Sequence, residues 1–199
     1  MTLRQRSHWV FDLDGTLTLA VHDFAAIRRH LDIPEQADIL HHLADLPATE
    51  RAAKHAWLFE HERELAVAAR PAPGAVELVR HLHGRGYQLG ILTRNARDLA
   101  LLTLAAIGLE DCFAPATVLG RDEAAPKPDP GGLLHLAALW QVAPTSLVMV
   151  GDHRYDLECG RAAGCRTLQV NQPGDPWPTA RDRRFADCRE LLAALGEPG

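Results

Sequence analysis

The stretch WVFDLDGTLT, Trp9 to Thr18, decides the fold. Trp9, Val10 and Phe11 form a short apolar run that leads straight into Asp12 and Asp14, with only Leu13 between them, and the chain is then released through Gly15 and Thr16. A buried strand followed by a turn accounts for the shape. It does not account for two carboxylates at the strand's end.

Around this stretch the chain has 199 residues, nearly half of them hydrophobic, enough for one sizeable core and a small accessory lobe. A formal charge of −5 gives no excess of positive charge for nucleic acid or an anionic membrane surface, so neither is an expected partner. Cys112, Cys159, Cys165 and Cys188 make no CxxC pair and follow no secretory segment, so they are expected as reduced, mostly buried thiols in a cytoplasm. No apolar run approaches the ~18 residues that a membrane span needs.

Beyond Thr18 the character changes. From about Leu19 to Arg70 the sequence has no glycine, is rich in Ala, Leu, His and Glu, and keeps helical spacing. Phe24, Ile27 and Leu31 fall at i, i+3, i+7, Ile39, Leu43 and Leu46 repeat the pattern, and Thr49 is placed to cap a third helix through Trp57, Leu58 and Leu65. RPAPG, Arg70 to Gly74, then breaks any helix. From Ala75 helices alternate with short apolar runs: QLGILT, a short strand at Thr117 to Leu119, SLVMV and TLQV. Such runs suit parallel strands covered on both faces. The predicted class is α/β, a Rossmann-like parallel sheet with helices on both faces and a small all-helical insertion. Residues 1–18 and 72–199 form the core and residues 19–71 the helical lobe.

The predicted strands end in polar residues: WVFD in Asp12, GILT in Thr93, and LVMV in Gly151 and Asp152. In open α/β sheets such ends meet at one crevice. Taken singly, each aspartate is an ordinary turn former. Taken together, Asp12, Asp14 and Asp152 repel, by about 4 kcal/mol per pair at ~4 Å and an effective dielectric near 20. Several such pairs rival a domain's whole stability of roughly 5–15 kcal/mol, so a cation or a shared proton must offset them. Hard oxygen donors in a small cluster suit Mg²⁺ beside phosphate oxygens. One carboxylate is then placed to attack, the other to move a proton, and Gly15 and Thr16 to offer backbone N–H groups to phosphate.

At this point the residues match a known pattern: the chain resembles the haloacid dehalogenase-like phosphatases, in particular the phosphoglycolate phosphatase-like group with a helical cap inserted after the first motif. DLDGT, Asp12 to Thr16, is similar to the family's first motif. The resemblance implies Asp12 as nucleophile and Asp14 as general acid/base, with Gly15 and Thr16 at the substrate. ILT supplies Thr93 for the transferring phosphoryl group, and APKPDP, Ala125 to Pro130, supplies Lys127 to hold phosphate and nucleophile. GDHRYD, Gly151 to Asp156, resembles the fourth motif, with Asp152 binding Mg²⁺ and Asp156 supporting the metal site or its waters. The metal also takes Asp12 and the backbone carbonyl of Asp14. Arg94, beside Thr93, is a candidate contact for substrate or cap.

Two departures stand out. His153 occupies a position where serine is common, and TLAVHDF replaces the Asp-Ser pair frequent in the phosphoglycolate-like members. The implied activity is hydrolysis of a small phosphorylated metabolite, with the cap closing over the crevice. His22, Arg28, Arg29, His41, His42 and His61 are its candidate contacts, and Trp57 and Phe59 are expected in the cap's core. A phosphomutase on the same scaffold and a non-catalytic module retaining the fold are the alternatives.

Overall fold

The computed structural model describes residues 3–174 and 176–196. The outer ends of the expected core, residues 1–2 and 197–199, lie outside the described residues, as does residue 175. The strands are β1 (His8–Phe11), β2 (Gln88–Leu92), β3 (Val118–Leu119), β4 (Leu147–Gly151), β5 (Arg166–Gln169) and β6 (Arg183–Arg184). They form one sheet in the order β3-β2-β1-β4-β5-β6, every neighbouring pair parallel. This α/β arrangement reverses its winding at β1, between β2 and β4, where doubly wound sheets open a crevice at their carboxyl ends.

The helices are α1 (Phe24–His30), α2 (Ile39–Ala44), α3 (Ala48–Val67), α4 (Ala75–Gly84), α5 (Arg97–Ala106), α6 (Gly131–Leu139), α7 (Arg154–Ala162) and α8 (Cys188–Gly196). Side chains alternate across β1, so Trp9 and Phe11 enter a core with Leu78, Leu82, Leu104 and Leu191, while Val10 enters a second core with Leu133, Leu136 and Cys159. The sheet is thus covered on both faces. All four cysteines are buried and unpaired. Among the described residues, no helix is long and apolar enough to cross a membrane.

Helices α1 to α3 follow β1 in the chain and have a cluster of their own, Ile27, Leu31, Ile33, Leu43 and Leu58. Their two connectors are stitched together at the root: Leu19 N–H donates to Arg70 O at 3.0 Å and Ala72 N–H to Leu17 O at 2.9 Å. Three local expectations need correcting. Phe24 is 54% exposed rather than packed with Ile27 and Leu31, because it is the first residue of α1, one step after the capping Asp23. Thr49 lies inside the first turn of α3, whose N-terminal cap is Pro47. Trp57 stands at the edge of the cluster, stacked between His30 and His61 with ring centroids 3.8 and 5.1 Å away, and Phe59 packs instead on Ala66, Ala96 and Leu99 where α3 meets α5.

Candidate active site

Asp12 is the first residue past β1, and its N–H donates to Val150 O of β4 at 2.9 Å, which fixes the side chain at the switch point. The loop that follows is tight, because Leu13 O accepts from both Leu17 and Thr18 N–H. Gly15 sits at φ +87°, and a Cβ there would meet the Asp152 carboxylate at 2.7 Å. Replacing it with alanine should therefore combine a left-handed backbone penalty with displacement of Asp152. The expected loss is about 1–3 kcal/mol of stability, read by thermal unfolding.

Lys127 is 3% exposed and lies between two carboxylates, with Nζ 2.5 Å from Asp12 Oδ1 and 2.6 Å from Asp156 Oδ1. Burial alone would lower the lysine's pKa, but Asp12 and Asp156 outweigh it and hold the pKa above its ordinary value. Thr16 Oγ1 donates to Asp152 Oδ1 at 2.9 Å, tying the first loop to the end of β4. Oxygens of Asp12, Asp152 and Asp156 all lie within 4.8 Å of one another. Burial pushes Asp152 up to about 8, with Asp12 and Asp156 adding to the effect. Burial likewise raises Asp156 to about 6, against the opposing pull of Lys127.

Asp14 lies outside that triad. Burial raises its pKa to about 6, while His22 and a hydrogen bond from Asn95 act in the opposite direction. Thr93 Oγ1 accepts Asn95 N–H at 3.1 Å, which leaves its own proton free to point elsewhere. The side chain of Asp156 is fully engaged: Oδ1 meets Lys127, and Oδ2 accepts His153 N–H at 2.9 Å. His153 returns the contact as N-cap of α7, its Nδ1 accepting Tyr155 N–H at 3.3 Å, and burial lowers its pKa, favouring this neutral acceptor form. Histidine thus takes over the capping work that a serine does by its hydroxyl. Gly151 makes room for the arrangement, since a Cβ there would lie 2.2 Å from that of Asp156.

Asn95 and Asn171 escaped the sequence reading. Asn171 Nδ2 donates to Gly15 O and Thr16 O at 2.9 and 2.8 Å, clasping the first loop from the segment just past β5. Asn95 directly follows the Thr93-Arg94 pair, which was its only signal. Arg94 reaches outward, its Nη2 donating to Asp38 Oδ2 at 2.5 Å. Nearby Arg121 pairs with the buried Glu62 of α3 at 2.9 Å. Of the other cap candidates, His22 and Arg28 line a cavity of about 340 Å³ that faces the carboxylates, whereas Arg29 and His41 are exposed and His42 is half-buried.

A family model described as haloacid dehalogenase-like hydrolase matches residues 8–164, the span holding Asp12, Thr93, Lys127 and Asp152. The chain is 32% identical over 177 residues to a haloacid dehalogenase-like hydrolase domain-containing protein of Arabidopsis thaliana, covering 83% of this chain and 71% of the plant protein. It is 29% identical over 201 residues to a phosphoglycolate phosphatase of Escherichia coli O157:H7, covering 94% and 73%. The crystal structure of a hydrolase from Pseudomonas syringae shares the fold, with a TM-score of 0.77 at 24% identity over 96% of this chain and 98% of that one. With the model spanning most of the sheet and the plant relative aligned over most of its own length, the chain belongs to the haloacid dehalogenase-like hydrolase family.

Proposed function

We propose that the protein is a Mg²⁺-dependent phosphatase that hydrolyses a small phosphate monoester through an aspartyl-phosphate on Asp12, with residues 19–71 acting as the cap. The observation that carries this is Lys127, buried between Asp12 and Asp156 at the mouth of β1 and β4, beside Asp152 and facing a cavity of about 340 Å³. One internal ammonium does not neutralise three converging carboxylates, and hard oxygens so close together suit a small divalent cation. Asp12, Asp152 and the backbone carbonyl of Asp14 would hold it, and Asp156 would act by fixing Lys127 and the start of α7. When bound, the ion would neutralise charge on the carboxylates and on the phosphate oxygens.

In this mechanism Asp12 attacks phosphorus while the ester bond breaks, and protonated Asp14 gives its proton to the departing alkoxide. A pKa of about 6 suits Asp14 to both duties near neutral pH. Asp14 then takes a proton from water, which attacks the same phosphorus, frees inorganic phosphate and regenerates Asp12. Lys127, Thr93 Oγ1 and the N–H groups following Asp14 stabilise the oxygens of the transferring group. The name shared by several relatives, phosphoglycolate phosphatase, supports this chemistry, and the four buried thiols are consistent with a cytoplasmic setting.

Phosphate release from a panel of monoesters should cease with EDTA and return with Mg²⁺; turnover indifferent to the chelator would remove the metal from the mechanism. A thermal measurement adds an independent check. Asp14, Asp152 and Asp156 have raised folded pKa values, so protonation stabilises the fold fully below about pH 4, the unfolded range, and that contribution is lost as pH rises through about 6 and 8. Mg²⁺ competes with those protons. Its stabilising shift in Tm should therefore be larger at pH 8 than at pH 5.

A further inference from the structure

The cavity facing the carboxylates has a neighbour. A groove of about 900 Å³ runs beside α2 and α3, past His41, His55, Phe59, Arg97 and Arg121. The two spaces share Asp38, Leu40, Arg94, Lys127 and Tyr155 as walls. Three of these form a chain of contacts: Arg94 donates to Asp38 at 2.5 Å, and its guanidinium lies 4.8 Å from the centroid of the Tyr155 ring. Asp38 is fixed in turn as N-cap of α2, its Oδ1 accepting His41 N–H at 3.0 Å. The Arg94 side chain is 26% exposed and that of Asp38 32%, so the pair is held out of bulk water for most of its surface. A guanidinium gripped at its edge by a carboxylate and stacked over a ring is oriented by the protein itself.

We infer that Arg94, clamped between Asp38 and Tyr155, is a specificity-determining partition that closes the inner cavity against the groove and restricts the enzyme to phosphate esters with compact leaving groups. The inference rests on the phosphatase reading above. A volume of about 340 Å³ lies at the small end of the range for ligand cavities, and its walls, Arg94 and Tyr155 among them, limit how far a leaving group can extend from the carboxylates. A nucleoside, longer and flatter than a two-carbon group, would reach toward the groove on the far side of Arg94. The departure at TLAVHDF fits the same picture, since Phe24 and His22 line the inner cavity and stack on each other at 5.5 Å, narrowing it from the start of α1.

The test compares kcat/KM for 2-phosphoglycolate and adenosine 5′-monophosphate in the wild type, Arg94→Ala and Asp38→Asn, scored by phosphate release. Arg94→Ala should raise the ratio of bulky to compact ester by about tenfold, within the discrimination that pocket shape provides. Asp38→Asn should raise it by less, because asparagine still caps α2 while releasing the arginine. If Arg94→Ala does not fold, the Asp38 variant carries the same comparison. An equal fall in both esters with the ratio unchanged would overturn the partition and leave the phosphatase standing. A wild type that releases phosphate from neither of these nor any other monoester would overturn both.

Discussion

Asp12→Asn is expected to abolish turnover, with a loss of about 10⁴-fold or more, because an amide supplies no nucleophile. The fold should survive. Asparagine has the shape of aspartate, its Oδ1 still accepts from Lys127, and the backbone anchor from residue 12 to Val150 O is untouched. Phosphate release measured on any ester that the wild type hydrolyses gives the rate. Mass spectrometry of acid-quenched samples gives the mechanism: the wild type should gain one phosphoryl group during turnover and the variant none. Undiminished activity in the variant would remove Asp12 from its role.

Lys127→Met should give the largest change in stability. Methionine keeps the aliphatic stem but leaves the buried Asp12 and Asp156 facing each other and Asp152 without the ammonium, and removing one partner of a buried pair costs about 3–5 kcal/mol. For a chain of this size each kcal/mol lowers Tm by about 2–4 °C, so calorimetry should register a fall on the order of 10 °C. The deficit should shrink as pH drops below about 6, where Asp156 takes up a proton, and Mg²⁺ should recover stability without recovering rate. The rate loss of about 10²–10³-fold follows from removing a preorganised charge at the phosphoryl oxygens. An unchanged Tm from pH 5 to 8 would show that the ammonium does not hold the carboxylates together.

The sheet was legible because burial on both faces leaves a plain mark: SLVMV and QLGILT are apolar without interruption, and the polar residues terminating them named the crevice. The site residues could be gathered from four short stretches for the same reason. Past Val170 the signal fails. β6 consists of two exposed arginines, and what makes it a strand is pairing, Phe185 N–H to Gln169 O at 2.9 Å, which no side-chain pattern announces. α8 does carry an apolar stripe in Cys188, Leu191 and Leu195, but it is short and follows a run of turns. Asn171 acts on residues more than 150 positions earlier, through an amide that resembles any loop asparagine. Arg94 was expected at substrate or cap, and only the placement of Asp38 and Tyr155 reveals why one side chain touches both compartments.

The central position of β1 bears on how the molecule is made. Its Trp9, Val10 and Phe11 leave the ribosome before either flanking strand exists, and the second flank, β4, arrives well over a hundred residues later. Until β2 is made the strand has no partner in the sheet, and until β4 is made one of its edges stays open for pairing.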